Sequence, residues 1–353
     1  MIRFECDYAE GMHPAILDAL IKTNEEQTPG YGVDTHCEHA RELIKKACHR
    51  EDVDVHFLVG GTQTNATIIA AGLRPYQGVL SAVTGHINVH ETGAIESYGH
   101  KVLPLPSEDG KITAAQISEA WETHIHDGSF EHMVQPGMVY ISQPTENGTL
   151  YSRKELQEIS DVCRRAGLYL FVDGARCGYG LMAEGNDVML PDLATLADVA
   201  ALTDVFYIGG TKVGALFGEA VVITNEELKR DFRYNMKQRG GMLAKGRLLG
   251  IQYEVLFTDD LYEKIALHAD KLAMDIRHAF ESHHVSLLYD SITNQQYPIL
   301  TDEELAAFSE KYAFSFWCKT DAQHSAVRVC TSWATKEEHV NALLADIDRI
   351  CKR

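Results

Sequence analysis

Positive charge is scarce in this chain. Its 32 Lys and Arg stand against 51 Asp and Glu, a formal net charge of −19. A balance of that sign is unsuited to nucleic acid or an anionic membrane, since both need a basic face. Any anionic ligand must therefore be gripped by local donors. Long apolar runs are missing as well, and no stretch approaches the roughly 20 residues that span a bilayer. The opening Met1-Ile2-Arg3-Phe4-Glu5-Cys6-Asp7 has no basic segment leading into an apolar run, so no signal-peptide pattern is present. The eight cysteines are scattered without a C-x-x-C pair, which argues for reduced thiols in the cytoplasm, not a disulfide framework or zinc site. Walker A and G-x-G-x-x-G fingerprints are both absent, and the usual nucleotide readings fail with them. Internal repeats and low-complexity segments are absent too.

What the chain does have is 353 residues of ordinary globular composition, 45% hydrophobic, enough for about two domains. Up to residue 223 apolar runs and helical stripes alternate. Strands are expected at 53–59, 78–82, 101–104, 137–142, 168–172, 205–208 and 220–223, with helices between them. Further on the pattern turns mainly helical (226–238, 244–257, 260–282). It ends in strands at 285–288, 295–299, 313–319 and 326–329 and a helix from 336. Strict alternation has stopped there, which points to a smaller α+β unit. The expected division is 1–258, N-terminal segment included, and 259–353.

Several strand ends carry residues suited to chemistry. Lys212 follows strand 205–208 and Gly209-Gly210-Thr211, with a second Gly-rich turn and strand beyond it. It is either an ordinary hairpin-loop lysine or a Schiff-base lysine whose amine is freed by desolvation. Strand 53–59 runs into Gly60-Gly61-Thr62, which suits a phosphate at a helix N-terminus or a helix capped by Thr62. His86 follows strand 78–82 and is either a stacker for a flat ring or a histidine satisfied by nearby backbone. His90 and Glu91 lack a third ligand at sensible spacing, so no metal site is expected. Asp173 and Arg176 end strand 168–172. They cap the next helix, or they stand beside a pyridine ring as its nitrogen partner and its neighbour. The phosphate cradle, stacker, ring-nitrogen partner and lysine together are the parts pyridoxal phosphate requires.

The motifs Phe57-Leu58-Val59-Gly60-Gly61-Thr62-Gln63-Thr64-Asn65, His86 with Glu91, Val172-Asp173-Gly174-Ala175-Arg176 and Gly210-Thr211-Lys212 resemble the low-specificity threonine aldolases, β-eliminating lyases among the fold-type-I pyridoxal-phosphate enzymes. The resemblance implies an α/β fold: a large domain with a mostly parallel seven-stranded sheet, plus a small C-terminal α+β domain. It also implies active sites shared within a homodimer or homotetramer. By position, Lys212 matches the Schiff-base lysine, Asp173 the pyridinium partner, His86 the stacker, and Gly61 with Thr62 the phosphate pair. Arg176 matches an arginine near the cofactor hydroxyl and substrate carboxylate, and Arg328 the C-terminal carboxylate binder.

Three departures stand out. Glu146, in Pro144-Thr145-Glu146-Asn147-Gly148, replaces a histidine associated with the substrate hydroxyl. Cys6-Asp7-Tyr8 lacks a serine that would meet the carboxylate. Arg239-Gly240-Gly241-Met242-Leu243 lacks an arginine that would reach a phosphate, with Lys245 or Arg239 as substitutes. The expected activity is cleavage of a threonine-like β-hydroxy-α-amino acid to glycine and an aldehyde, with His86 or Glu146 as the base. β-Elimination on another amino acid and a noncatalytic pyridoxal-phosphate-binding protein are the alternatives.

Overall fold

The computed structural model describes residues 1–183 and 193–352. Its centre is a seven-stranded sheet of β1 Asp54–Leu58, β2 Gln77–Ala82, β3 Val102–Leu105, β4 Gln135–Ser142, β5 Tyr169–Asp173, β6 Val205–Gly209 and β7 Glu219–Ile223. The order across the sheet is β1-β7-β6-β5-β4-β2-β3. All pairs are parallel except the two made by β7, which is antiparallel to both β1 and β6. Except for the edge strand β3, the strands are buried on both faces, and one apolar cluster lies on each side of the sheet. Val55, Val139, Val172, Phe206 and Val222 pack into one, and Val79, Met138, Phe171, Tyr207 and Val221 into the other. Period-2 alternation between two covered faces is why these strands read as unbroken apolar runs.

Parallel connections return each strand in the same direction, so the ends of β2, β4, β5 and β6 lie along one edge. Ligands of open α/β sheets bind at that edge. At the β5 and β6 ends the backbones nearly touch. A Cβ on Gly174 would lie 1.9 Å from the Tyr207 carbonyl oxygen, and one on Gly209 would lie 2.3 Å from that of Ala175. Only glycine permits this approach, which brings Asp173 and the lysine turn together.

The helix Leu261–Ser282 serves two cores. Tyr262, Ile265, Ala266 and Ala269 pack against the large sheet, whereas Leu272, Ile276 and Phe280 join a separate cluster with Leu300, Val327, Leu343 and Ile347. That second cluster covers a small antiparallel sheet in which His324–Cys330 pairs with Ile299–Thr301, Ser315–Lys319 and Gln295–Gln296. The extreme N-terminus joins this part, not the large sheet. Ile2–Arg3 pairs in parallel with Tyr312–Ala313, and Phe4 sits in the second cluster.

Four expected elements differ. The strands expected at 295–299 and 313–319 are each broken in two, into Gln295–Gln296 with Ile299–Thr301 and Tyr312–Ala313 with Ser315–Lys319. The helix at 226–238 is split into Glu226–Lys229 and Phe232–Gln238, because Asp231 takes φ 59°. Aspartate is among the few side chains that tolerate this left-handed conformation. The strand expected at 285–288 is a single bridge between Leu287 and Pro298. Proline has no N–H, so the ladder cannot extend through it. Within the described residues, no helix is long and apolar enough to cross a membrane.

Candidate active site

Gly61, Thr62, His86, Glu146, Asp173, Arg176, Lys212 and Arg328 all line one cavity of about 720 Å³. Six sequence segments far apart in the chain contribute them. Most stand at strand ends of the large sheet, and Arg328 comes from the small one.

The helix Gly61–Gly72 starts directly after β1, and its N-cap, Gly60, has no side chain to cap it. Thr62 lies inside the first turn and is not the cap. Such a start leaves backbone N–H groups without helical partners. Gly60, Gly61 and Thr62 present this end to the cavity.

Asp173 ends β5 and is buried, with four donors on its two oxygens. Tyr140 OH (2.5 Å) and Asn65 Nδ2 (3.1 Å) reach Oδ2, while Tyr207 OH and the Ala175 N–H reach Oδ1. His86 opens a one-turn helix after β2. Its Nδ1 donates to Glu91 Oε1 at 2.7 Å, and Asn65 Nδ2 donates to the same oxygen at 2.7 Å. Burial alone would lower the His86 pKa, but the Glu91 hydrogen bond and the charge of Asp173 reverse this and raise it.

Lys212 lies in the turn between β6 and β7. Among the described residues its Nζ makes no hydrogen bond and no ion pair. Burial, then the Arg176 charge, depress its pKa against the pull of Asp7, Asp173 and Glu219. The Glu219 carboxyl, at the start of β7, is raised by the same burial. It takes a hydrogen bond from Thr211 Oγ1 at 2.9 Å, and its Oε2 is buried without a hydrogen-bond partner among the described residues.

Glu146 follows β4 in the segment where the departure was noted. Its Oε1 accepts from Ser142 Oγ (2.7 Å) and from the His86 backbone N–H (2.9 Å). Burial pushes its pKa up, partly countered by the Ser142 hydroxyl, and Asp173 adds to the rise.

The two arginines differ. Arg176 is buried, and its Nε and NH2 are bound bidentately to Asp7 at 2.7 and 3.0 Å. Asn294 Nδ2 also donates to Asp7, at 2.9 Å. Arg328 reaches Gln295 Oε1 through NH1 (3.2 Å) and the Glu5 carbonyl through NH2 (2.9 Å), and its buried Nε has no partner among the described residues. Arg239 and Lys245 are not part of this cavity wall; Arg239 lies over the Tyr98 ring at 4.8 Å. No group of three or more His, Cys, Asp or Glu that could hold a metal occurs among the described residues.

Comparison with known proteins gives the same grouping. The model of the family described as beta-eliminating lyase matches residues 7–332. The chain belongs to the beta-eliminating lyase family. It is 31% identical to a low-specificity L-threonine aldolase of a Pseudomonas species, over 98% of this chain and 96% of the relative. A second, from Pseudomonas aeruginosa, is 30% identical over 98% and 96%. The solved threonine aldolase of Leishmania major superposes with a TM-score of 0.94 at 43% identity, covering 99% of this chain and all of that one. A putative L-allo-threonine aldolase of Listeria monocytogenes, at 17% identity and TM-score 0.72 over 99% and 96% of the two chains, shares the fold.

Against that family background, sequence reasoning gave no role to Asp7, Asn65, Tyr140, Tyr207 or Glu219. Asp7 stood in a segment already singled out, but its partner is 169 positions away. The two tyrosines read as core aromatics within apolar strands. Glu91 was visible beside His86, and the hydrogen bond now explains the pair.

Proposed function

We infer that this chain is a pyridoxal-phosphate-dependent lyase that cleaves threonine-like β-hydroxy-α-amino acids to glycine and an aldehyde. One observation carries the reading. An uncapped helix start, a four-donor aspartate, a Glu91-held imidazole and a buried lysine amine with no ion-pair partner among the described residues share one cavity.

The residues fit that cofactor. The N–H groups at Gly61 and Thr62 suit its phosphate. Asp173 would keep a ring nitrogen charged, and His86 would stack on the ring. Lys212, with its ammonium destabilised by burial, is the attachment point, since a neutral amine is the nucleophile. When bound, pyridoxal phosphate supplies a sink for the electron pair released at Cα.

The chain's own groups do the rest. Arg328 takes the substrate carboxylate, because a guanidinium has five N–H donors and only two are committed here. Arg176 is left with NH1 for the cofactor hydroxyl or the carboxylate, and Asp7 fixes its plane. Glu146 removes the β-hydroxyl proton. Its raised pKa makes it a stronger base than an ordinary carboxylate. His86, whose pKa is raised by Glu91, stays charged to higher pH and is the poorer base.

We propose further that 1–258 carries the cofactor and 259–353 brings Arg328, and that the protein is a cytoplasmic homodimer or homotetramer. Eight free thiols support the compartment, and the exposed apolar Tyr8, Val33 and Phe316 support the assembly.

The test is product identification on a panel of β-hydroxy-α-amino acids, with borohydride fixation of the cofactor and peptide mapping. Glycine plus aldehyde, and label on Lys212, are expected. Ammonia plus a keto acid would replace this reading with β-elimination, and label on another lysine would overturn the attachment point.

A further inference from the structure

Ser142 and Tyr140 are two apart on β4, so their side chains share a face, and Ser142 stands opposite Asp173 in the β4–β5 register. Their hydroxyls bridge two carboxylates. Ser142 Oγ lies 2.7 Å from Glu146 Oε1 and 3.3 Å from Tyr140 OH, and Tyr140 OH lies 2.5 Å from Asp173 Oδ2. Each hydroxyl has one proton to donate. Tyr140 spends its own on Asp173, so toward Ser142 it can only accept. Ser142 therefore donates either to Glu146 or to Tyr140, never to both.

We propose that Ser142 and Tyr140 form a reversible hydrogen-bond link that carries the protonation state of the base Glu146 to the hydrogen bond held by the ring-nitrogen partner Asp173. The proposal rests on the aldolase reading for the origin of the proton. With Glu146 ionised, Ser142 donates to it. When Glu146 removes the substrate hydroxyl proton, the substrate O–H bond breaks and an O–H bond forms at Glu146 Oε1. That carboxyl now donates to Ser142 Oγ, and Ser142 turns its own proton onto Tyr140 OH. A phenol that accepts a hydrogen bond donates more strongly, so Tyr140 tightens on Asp173. Within the link no covalent bond changes and the hydroxyl protons only re-aim. In the substrate the O–H electron pair becomes the aldehyde C=O as the Cα–Cβ bond breaks and its pair is released at Cα. The electron sink is thereby adjusted at the step that uses it.

The groups facing Glu146 are His86 after β2, Asp173 on β5, Tyr140 on β4 and Tyr151 beyond it, with Tyr297 OH on the Glu146 carbonyl at 2.6 Å. Of these, only Tyr140 is joined to both carboxylates through hydroxyl contacts.

The experiment follows kcat/KM and the visible absorbance of the bound cofactor against pH in the holoenzyme, in wild type, Ser142→Ala, Tyr140→Phe and Ser142→Thr. In wild type the acid limb of the rate and the absorbance midpoint should coincide. Ser142→Ala removes a donor to the Glu146 carboxylate and should raise the acid limb by about one pH unit. Tyr140→Phe should keep an acid limb but part it from the absorbance midpoint. Ser142→Thr, which keeps the hydroxyl, should restore the wild-type curves. Superimposable curves in both deletion variants would overturn the link. So would a Ser142→Ala acid limb that moves together with the absorbance midpoint, since the two would then be joined without the Ser142 hydroxyl. If Tyr140→Phe does not fold, the two Ser142→Ala curves decide. A protein that loads cofactor but yields no glycine would end the aldolase reading, while the absorbance midpoints would still test the link.

Discussion

Arg176 and Arg328 line the same cavity, and the protein treats their charges in opposite ways. Arg176, at the end of β5, is sealed against a buried carboxylate that takes two of its nitrogens. Arg328, from the small sheet, hydrogen-bonds among the described residues only to a neutral amide and a backbone carbonyl, and lies 5.9 Å from the Trp317 ring. A guanidinium already neutralised by Asp7 gains little from a second carboxylate, whereas one held by neutral acceptors keeps its charge for a ligand. Sequence assigned a substrate carboxylate to both. On the proposal above, Arg328 ranks first for that carboxylate and Arg176 belongs to the frame.

Breaking the Arg176 side should cost the most. Asp7→Ala leaves a guanidinium buried without its counter-charge, and removing one partner of a buried pair costs about 3–5 kcal/mol. Chemical denaturation should report a loss of that order. In a double variant with Arg176→Met the orphaned charge is gone, so much of the loss should be recovered. A double variant no more stable than Asp7→Ala would show that the pair is not what holds this corner.

Breaking the Arg328 side should leave the fold nearly intact and weaken ligand binding. A charge-assisted, forked contact is worth about 1.5–3 kcal/mol, or roughly tenfold or more in affinity. Glycine titrated into Arg328→Ala holoenzyme should therefore bind at least about tenfold more weakly, with cofactor binding little changed. Equal glycine affinities would move the carboxylate to Arg176 and invert the ranking. Arg328→Lys sharpens the test: it keeps the charge but loses the fork, and should fall between wild type and alanine.

The contrast between the arginines also separates what the sequence discloses from what it hides. The strand ends at Gly61, His86, Asp173 and Lys212 are legible because each follows a short apolar run, and such runs mark buried strands. Parallel connectivity then places the ends on one edge. The antiparallel β7 is harder to see, because a tight turn at Gly214 and Gly218 looks like any hairpin. Hydrogen-bond partners are the least legible feature. Asp7 meets Arg176 across 169 positions and Asn294 across 287, and no periodicity encodes such a contact. Tyr140 and Tyr207 are hidden for another reason: their rings satisfy the core pattern, and only coordinates reveal that the hydroxyls end on Asp173. The N-terminal strand was missed because two residues carry no periodicity.

The smallest expected effect is the pH dependence left by the Asp7–Arg176 pair. Burial by itself would raise the Asp7 pKa. The charges of Arg176 and Lys212, with the hydrogen bonds from Arg176 and Asn294, outweigh it and hold it at about 2, below the ordinary 3.8. A carboxyl depressed in the folded state binds its proton more readily when unfolded. Its contribution to stability is therefore present above about pH 4 and is lost as pH falls toward 2. The linkage relation gives a loss of roughly 1 kcal/mol by pH 3 from this group alone. Asp7→Asn cannot titrate, so its unfolding free energy, lower throughout, should fall less steeply between pH 5 and pH 3 than that of wild type. Parallel slopes would mean that Asp7 keeps an ordinary pKa. Arg176 would then still have charge to offer a substrate, and its difference from Arg328 would shrink to one of packing.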